Sequence, residues 1–439
     1  MAHLLSRLIK RASNANAILP NLLKGAGFAV ALRAFGAILA LILNVIIGRL
    51  LGPEGAGLYY LGLAVCTVSA VVVRLGIDQA LLRQVSTFAT RRDWGRAVGV
   101  FRQGLLAVAA TASLAALLVA LTAPILAVQA FGKPRMSEIL ISIAPSIVTF
   151  ALIAVLAESL KGLSRFKDAM LVSGVIYPAV ALLAIWPLAT TLGASGAVFA
   201  YFLGTLTAVG WGLFVWRRQL KSYAVSHVVQ RGDLWSVSSK LWVMSLVSNA
   251  LLPWGPILML GAVGTSTETG LFGAALRLSV IISFFHTAAY SVVAPTFAKL
   301  IEQGDFFGLQ RVACRFSLVI FGLSAPFLFA MILEGDLIMG LFGSGFVEGA
   351  LTLQILSVGQ GVNVLVGAVG LLLIMSGHER DIRNASFLSA AVLLLACLSL
   401  IPPYGSVGAA MASMLALVSG LAFNFILVRK RLGFYMFPR

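Results

Sequence analysis

Runs of apolar residues separated by short polar turns follow one another from about residue 25 to residue 428. They do not alternate with the two-residue period of a half-wet strand. They are apolar all round, the pattern of helices with no aqueous face. The pattern divides into spans at 25–50, 57–82, 103–130, 138–160, 169–191, 195–216, 239–262, 270–296, 314–334, 348–375, 385–402 and 406–428. At 1.5 Å rise per residue, lengths of this kind suit a hydrocarbon core about 30 Å thick. A membrane barrel would alternate apolar and polar positions instead. The chain therefore predicts an all-α polytopic membrane protein with about 12 transmembrane helices. The longest polar stretch, from Arg217 to about Ser238, is too short for a soluble domain and reads as a linker.

The hydrophobic pattern is also written twice. Gly57-Leu58-Tyr59 recurs as Gly270-Leu271-Phe272 at an offset of 213, and Asp93 recurs as Asp305 at 212. Gly193, Gly196, Ala197 and Arg217 recur as Gly405, Gly408, Ala409 and Arg429, again at 212. An even number of spans per copy gives both copies the same orientation. The predicted architecture is two six-helix repeats around a central cleft: an N-terminal bundle over 1–225 and a C-terminal bundle over 226–439. Carriers are often built this way, with the substrate site between repeats near the bilayer midplane.

Composition agrees with the pattern: 60% hydrophobic residues, 11% charged, mean hydropathy +1.00. Charge adds an orientation. Of the 32 Lys and Arg, all but Arg33, Arg49, Arg74, Lys133, Arg135 and Arg277 fall in the tails and alternate loops on one side. The positive-inside rule puts those loops and both termini in the cytoplasm. The net charge of +17 is then loop bias and attraction to anionic lipid, spread over seven segments rather than gathered into a nucleic-acid patch. The basic start, Leu4-Leu5-Ser6-Arg7-Leu8-Ile9-Lys10-Arg11, suits an interfacial helix or a basic tail rather than a cleaved signal. Cys66, Cys314 and Cys397 stand singly in or beside apolar spans, and His3, His227, His286 and His378 are scattered, so no metal, redox or other cofactor is expected.

Charges inside spans carry the chemistry. A charge at mid-helix costs about 2.5–3.5 kcal/mol on insertion scales, so it tends to face a cavity or a partner. Arg33 and Arg74 each lie about eight residues, roughly 12 Å, from the cytoplasmic helix end, and Arg277 about seven from the outer end. Arg74 and Asp78 are four apart and can neutralise each other as an ion pair. Arg33 and Arg277 have no acid at helical spacing in their own spans, which favours a cavity role. Glu158 lies near Lys161 at a helix end, an interfacial site or a coupling group along with Asp78. Guanidinium stays charged and can hold phosphate oxygens in pairs, so Arg33, Arg74 and Arg277 are the candidate cavity residues for binding a substrate. Tyr59, Tyr60, Asn249, Trp254, His286 and Tyr290 are candidate polar and aromatic substrate contacts; packing and interfacial belts are the alternative role for such residues.

Three stretches together resemble a known family. Leu51-Gly52-Pro53-Glu54-Gly55-Ala56-Gly57-Leu58-Tyr59 is similar to its first outer turn. Leu75-Gly76-Ile77-Asp78-Gln79-Ala80-Leu81-Leu82-Arg83 is similar to the stretch that follows, and Gly405-Ser406-Val407-Gly408-Ala409-Ala410 to its entry into the last span. The chain thereby resembles the polysaccharide-transport branch of the multidrug/oligosaccharidyl-lipid/polysaccharide flippase superfamily. The resemblance implies a flippase of the bacterial cytoplasmic (inner) membrane, moving an oligosaccharide on undecaprenyl diphosphate to the outer leaflet, with Arg33, Arg74 and Arg277 as its diphosphate ligands and Tyr59, Tyr60, Asn249, Trp254, His286 and Tyr290 as its sugar contacts. Its implied partners are that lipid-linked substrate, membrane lipids, and the polymerase and chain-length machinery of surface polysaccharide synthesis. Two other classes remain: a cation-coupled drug or metabolite exporter, which would favour acidic sites within helices, and a membrane glycosyltransferase or polymerase, which would need a larger extramembrane loop than any here.

Overall fold

The computed structural model describes the backbone of residues 2–220, 238 and 242–436. The expected bundle boundary at 225/226 and most of the linker lie outside the described residues. The described chain is helical throughout, in the order α1 (Ala2–Arg74), α2 (Ile77–Thr90), α3 (Trp94–Ala130), α4 (Met136–Gly162), α5 (Phe166–Gln219) and α6 (Trp242–Val263). Then come α7 (Ser266–Glu302), α8 (Phe306–Leu333), the short α9 (Gly335–Gly340), α10 (Ala350–Val366), α11 (Ala368–Met375) and α12 (Glu379–Leu432). Among the described residues, nine stretches are long and apolar enough to cross a membrane.

Three of these stretches far exceed the roughly 20 residues that one crossing needs: residues 31–74 at 44, and α5 and α12 at 54 each. Each is broken at one glycine, Gly52 (φ 66°), Gly193 (φ 60°) and Gly405 (φ 52°), in a left-handed region that a side chain would strain. At two of them the chain folds back on itself. A Cβ on Gly196 would overlap the Leu188 carbonyl, and one on Gly408 the Leu400 carbonyl. A straight helix would hold residues so spaced about 12 Å apart. These hairpins stand where the hydrophobic pattern placed breaks between spans. The span expected over 57–82 is different: it is interrupted at Leu75 (φ 50°) and Gly76 (φ 75°), and residues 77–90 form the separate helix α2.

The duplication is visible in the backbone. Left-handed residues recur at Arg92 and Gly304, at Ser164 and Gly377, and at Gly193 and Gly405. Asp93 and Asp305 cap α3 and α8 alike, accepting from the backbone N–H groups of Arg96 and Gly308 at 3.1 and 2.8 Å. The two copies cross at equivalent glycines. A Cβ on Gly57 would overlap the Ser266 carbonyl, and one on Gly270 would overlap the Pro53 carbonyl. Such reciprocity is what a two-fold relation between like-oriented copies requires, and small residues at the crossing are what let the backbones approach.

That crossing lies at the end of the bundle remote from the basic loops, and cross-copy contacts close it. Arg49 Nε donates to the Leu341 carbonyl at 2.8 Å. Lys133, in the turn between α3 and α4, donates to the Gly264 carbonyl at 2.8 Å and to that of Gly261, at the C-terminal end of α6. A cation there meets the negative end of the helix dipole. Burial pushes the Lys133 ammonium below its ordinary pKa, while the charge of Glu268 opposes the shift.

Candidate functional site

The two copies enclose a cavity of about 650 Å³ on the basic-loop side of this closure. The first arm of α1 supplies Ile38, Leu41 and Asn44; its second arm supplies Tyr59, Leu63 and Thr67. Phe150 comes from α4, Tyr177 and Tyr201 from α5, Trp254 from α6, and Leu276 and Arg277 from α7. The wall is mostly apolar, so a charge within it is weakly screened and interacts strongly with whatever enters.

Arg277 is that charge. Its guanidinium carbon lies 3.8 Å from the centre of the Tyr60 ring and 5.9 Å from that of Trp254. Nη1 donates to the Gly273 carbonyl, one turn back, at 2.8 Å. Among the described residues no carboxylate pairs with it. The cation is held by ring faces and one carbonyl, and its charge is left uncompensated.

A second cavity, about 370 Å³, adjoins the first and shares Thr67, Phe150 and Trp254 with it. Its chemistry is different. Arg74, Asp78, Glu158, Lys161 and Asn249 line it. Arg74 Nη1 donates to Asp78 Oδ2 at 2.9 Å and Nε to the Ala70 carbonyl at 3.0 Å, and both side chains are buried. Lys161 Nζ donates to Glu158 Oε1 at 2.6 Å. Each acid here has its base, and the four charges cancel.

The helix break at Leu75–Gly76 shapes this second site. Breaking a helix inside a bundle frees backbone carbonyls, which must find donors where water is scarce. Trp242 Nε1 donates to the Val72 carbonyl at 3.1 Å, and Thr111 Oγ1 to that of Val73 at 2.9 Å. Gly76 is needed for closeness as well as for its φ, since a Cβ there would press on the Ser238 carbonyl at 2.5 Å. The break turns Asp78 into the first turn of α2, where Oδ1 is buried without a hydrogen-bond partner among the described residues.

The three arginines expected to point into the central cleft stand at three different places. Arg277 is in the wall of the larger cavity and Arg74 in that of the smaller one. Arg33 is exposed and lines neither, although Ala34 and Ala37 beside it line the larger cavity. One turn before Ala37, it stands at the approach rather than in the wall. Of the aromatic and polar candidates, Tyr59 and Trp254 line the larger cavity and Asn249 the smaller. Tyr60 lines neither, being fully buried under Arg277. His286 and Tyr290 are away from both: their rings pack edge to face at 4.4 Å near the break between α10 and α11, where Tyr290 donates to the Gly367 carbonyl at 2.8 Å. Tyr290 thereby satisfies a carbonyl at that break, and His286 packs against its ring.

Sequence reasoning passed over Asn44, Thr67, Tyr177 and Tyr201. A signal existed in each case, a polar or hydroxyl-bearing side chain well inside a mostly apolar span. The chain has only eight tyrosines, and three of them, Tyr59, Tyr177 and Tyr201, meet at this one cavity.

Comparison with known proteins gives the arrangement a context. Residues 22–301 match a family described as Polysaccharide biosynthesis protein. Over 171 residues, 38% of this chain, the sequence is 25% identical to the probable flippase AglR of Haloferax volcanii, and the match spans 36% of that protein's length. Among solved structures, an inward-facing multidrug-resistance MATE family transporter of the MOP superfamily superposes with a TM-score of 0.72 at 14% identity, covering 92% of this chain and 98% of that one. A mutant of the Vibrio cholerae MATE transporter VcmN gives 0.64 at 15% identity, covering 94% and 98%. The lipid II flippase MurJ in an inward closed conformation gives 0.61 at 13% identity, covering 92% and 87%. At such identities the structural likenesses establish a common fold.

Proposed function

We propose that this chain, which belongs to the polysaccharide biosynthesis protein family, is a multi-pass membrane transporter that flips an oligosaccharide carried on a polyprenyl diphosphate. The observation that carries this is the uncompensated Arg277 in an aromatic, mostly apolar cavity. An anionic group entering there supplies the missing charge, and guanidinium matches paired phosphate oxygens. Tyr177 and Trp254, with the more deeply buried Tyr59 and Tyr201, line the space the sugars would enter. The polyprenyl chain stays in lipid, since its burial in water would be costly.

In this reading the basic loops face the bacterial cytoplasm, following the positive-inside rule. The closure by Lys133, Arg49 and the Gly57–Gly270 crossing is then the outer gate. The substrate enters from the cytoplasmic leaflet, and rocking of one copy against the other exposes it outside. Undecaprenyl diphosphate is the carrier this location implies, with polymerase and chain-length machinery downstream.

A second reading, a cation-coupled drug or metabolite exporter, draws on the MATE-like fold and on the acids of the smaller cavity. Asp78 and Glu158 are each paired with a base, however, which leaves no net negative charge to attract a cation. The test is a deletion strain. Accumulation of lipid-linked oligosaccharide facing the cytoplasm, reversed by the intact gene, supports the flippase. Normal surface polymer with changed drug sensitivity supports the exporter and ends the first reading.

A further inference from the structure

We infer that Tyr60 is a positioning residue for this transport: its ring holds Arg277 by the face and so keeps the guanidinium edge open to the diphosphate. The inference rests on the flippase reading above. An arginine has five N–H donors in one plane, and a ligand is gripped along the edge of that plane. A carboxylate partner would occupy that edge, as Asp78 does for Arg74. A ring face fixes the plane and takes no donor. With the Tyr60 centroid 3.8 Å from the guanidinium carbon, and one donor used on the Gly273 carbonyl, Arg277 keeps most of its edge.

The surroundings fit this role. Tyr60 is fully buried, so its ring cannot swing away. Its hydroxyl has no hydrogen-bond partner among the described residues, which leaves the ring as the part that matters. Opposite it is Gly273, where a Cβ would overlap the Tyr60 ring. At the repeat offset of 213, Tyr60 and Gly273 are the same position in the two copies, and so are Ala64 and Arg277. At this level the copies have diverged in complementary ways: one gives the ring, the other gives way to it and brings the cation. The result is one aimed guanidinium where strict symmetry would give two groups facing each other.

The test replaces Tyr60 in the full-length protein with Phe, with mono-, di- and trifluorophenylalanine, and with Leu, alongside Arg277→Ala. Binding of farnesyl diphosphate to the purified protein is titrated, and surface polysaccharide is measured in cells. Fluorine withdraws ring electrons with little change of shape, so a role in packing alone would not respond to it. Tyr60→Phe should bind like the parent. Affinity should fall stepwise with fluorine number, reaching about tenfold weaker with trifluorophenylalanine or Leu. Should Tyr60→Leu fail to fold, the fluorinated series decides by itself. A flat series beside a large loss in Arg277→Ala overturns the positioning role and leaves the flippase reading standing. Unchanged binding and export in Arg277→Ala would overturn both.

Discussion

Arg74 and Arg277 lie on equivalent helices of the two repeat copies, the second arm of α1 and α7, yet they are held in opposite ways. Arg74 is held by its edge, with Nη1 on Asp78 and Nε on the Ala70 carbonyl. Arg277 is held over the Tyr60 ring at 3.8 Å, with Trp254 at 5.9 Å. The first arrangement neutralises the charge and pins a broken helix; the second leaves charge and donors available. A duplicated framework thus carries one arginine suited to structure and one suited to a ligand. A partner's geometry, rather than the presence of an intramembrane arginine, tells them apart.

The largest effect is expected at Arg277. Arg277→Ala should lower export of surface polysaccharide at least about thirtyfold, as for loss of a buried charge-assisted contact worth roughly 2 kcal/mol or more. Abundance of the inserted protein should stay the same, since no ion pair is broken. Arg277→Lys should keep partial activity, because charge survives while the planar stack and the two-pronged grip do not. Parent-level export from Arg277→Ala would erase the contrast between the two arginines.

Arg74 should behave as the opposite case. Arg74→Ala strands Asp78 in a buried site, and breaking such pairs typically costs about 3–5 kcal/mol. The expected readout is less inserted protein and a lower thermal midpoint in detergent. Arg74→Ala/Asp78→Ala should recover most of both, because neither charge is then left alone. A double variant as stable as the parent but unable to transport would move Arg74 into the ligand site and break the comparison.

The sequence carried the framework far better than the site. Offset matches such as Asp93/Asp305 and Gly193/Gly405 foretold backbone geometry, because caps and left-handed turns depend on one or two local residues. The i, i+4 spacing of Arg74 and Asp78 made their pairing legible for the same reason. Arg277 was marked by lacking a local acid, but Tyr60 lies over two hundred positions away, and no period connects it to that arginine. The break at Leu75–Gly76 fell inside what read as one span, since its freed carbonyls are satisfied by Trp242 and Thr111 from elsewhere. His286 and Tyr290 have the composition of a ligand site and lie at a packed helix break. Their surroundings are tertiary facts.

A smaller effect should appear where the copies are alike. Gly57→Ala and Gly270→Ala each push a methyl into the other copy's backbone, and each should cost about 1–3 kcal/mol of stability. The two-fold relation predicts similar costs, and a double variant less damaging than the sum, because one displacement relieves both overlaps. Thermal unfolding of the three variants checks this. Strongly unequal single costs would mean that the crossing is less symmetric than the reciprocal contacts indicate.

Arg33 should give the smallest effect, and it tests whether charge works at a distance. It is exposed, with no ion pair among the described residues, beside the cavity-lining Ala34 and Ala37. An exposed cation cannot grip a diphosphate as a buried one does, because water screens it and the Debye length is about 8 Å at physiological salt. It can raise the rate at which an anion finds the cavity mouth. Arg33→Ala should therefore slow capture only a few-fold, with maximal transport unchanged once substrate saturates. The deficit should shrink as salt is added, and Arg33→Lys should restore the rate in full, in contrast with the partial rescue expected at Arg277. A Lys variant as impaired as Ala would show that the planar guanidinium itself is required there, and Arg33 would then join Arg277 as a direct ligand of the substrate in a conformation with the cleft drawn closer around it.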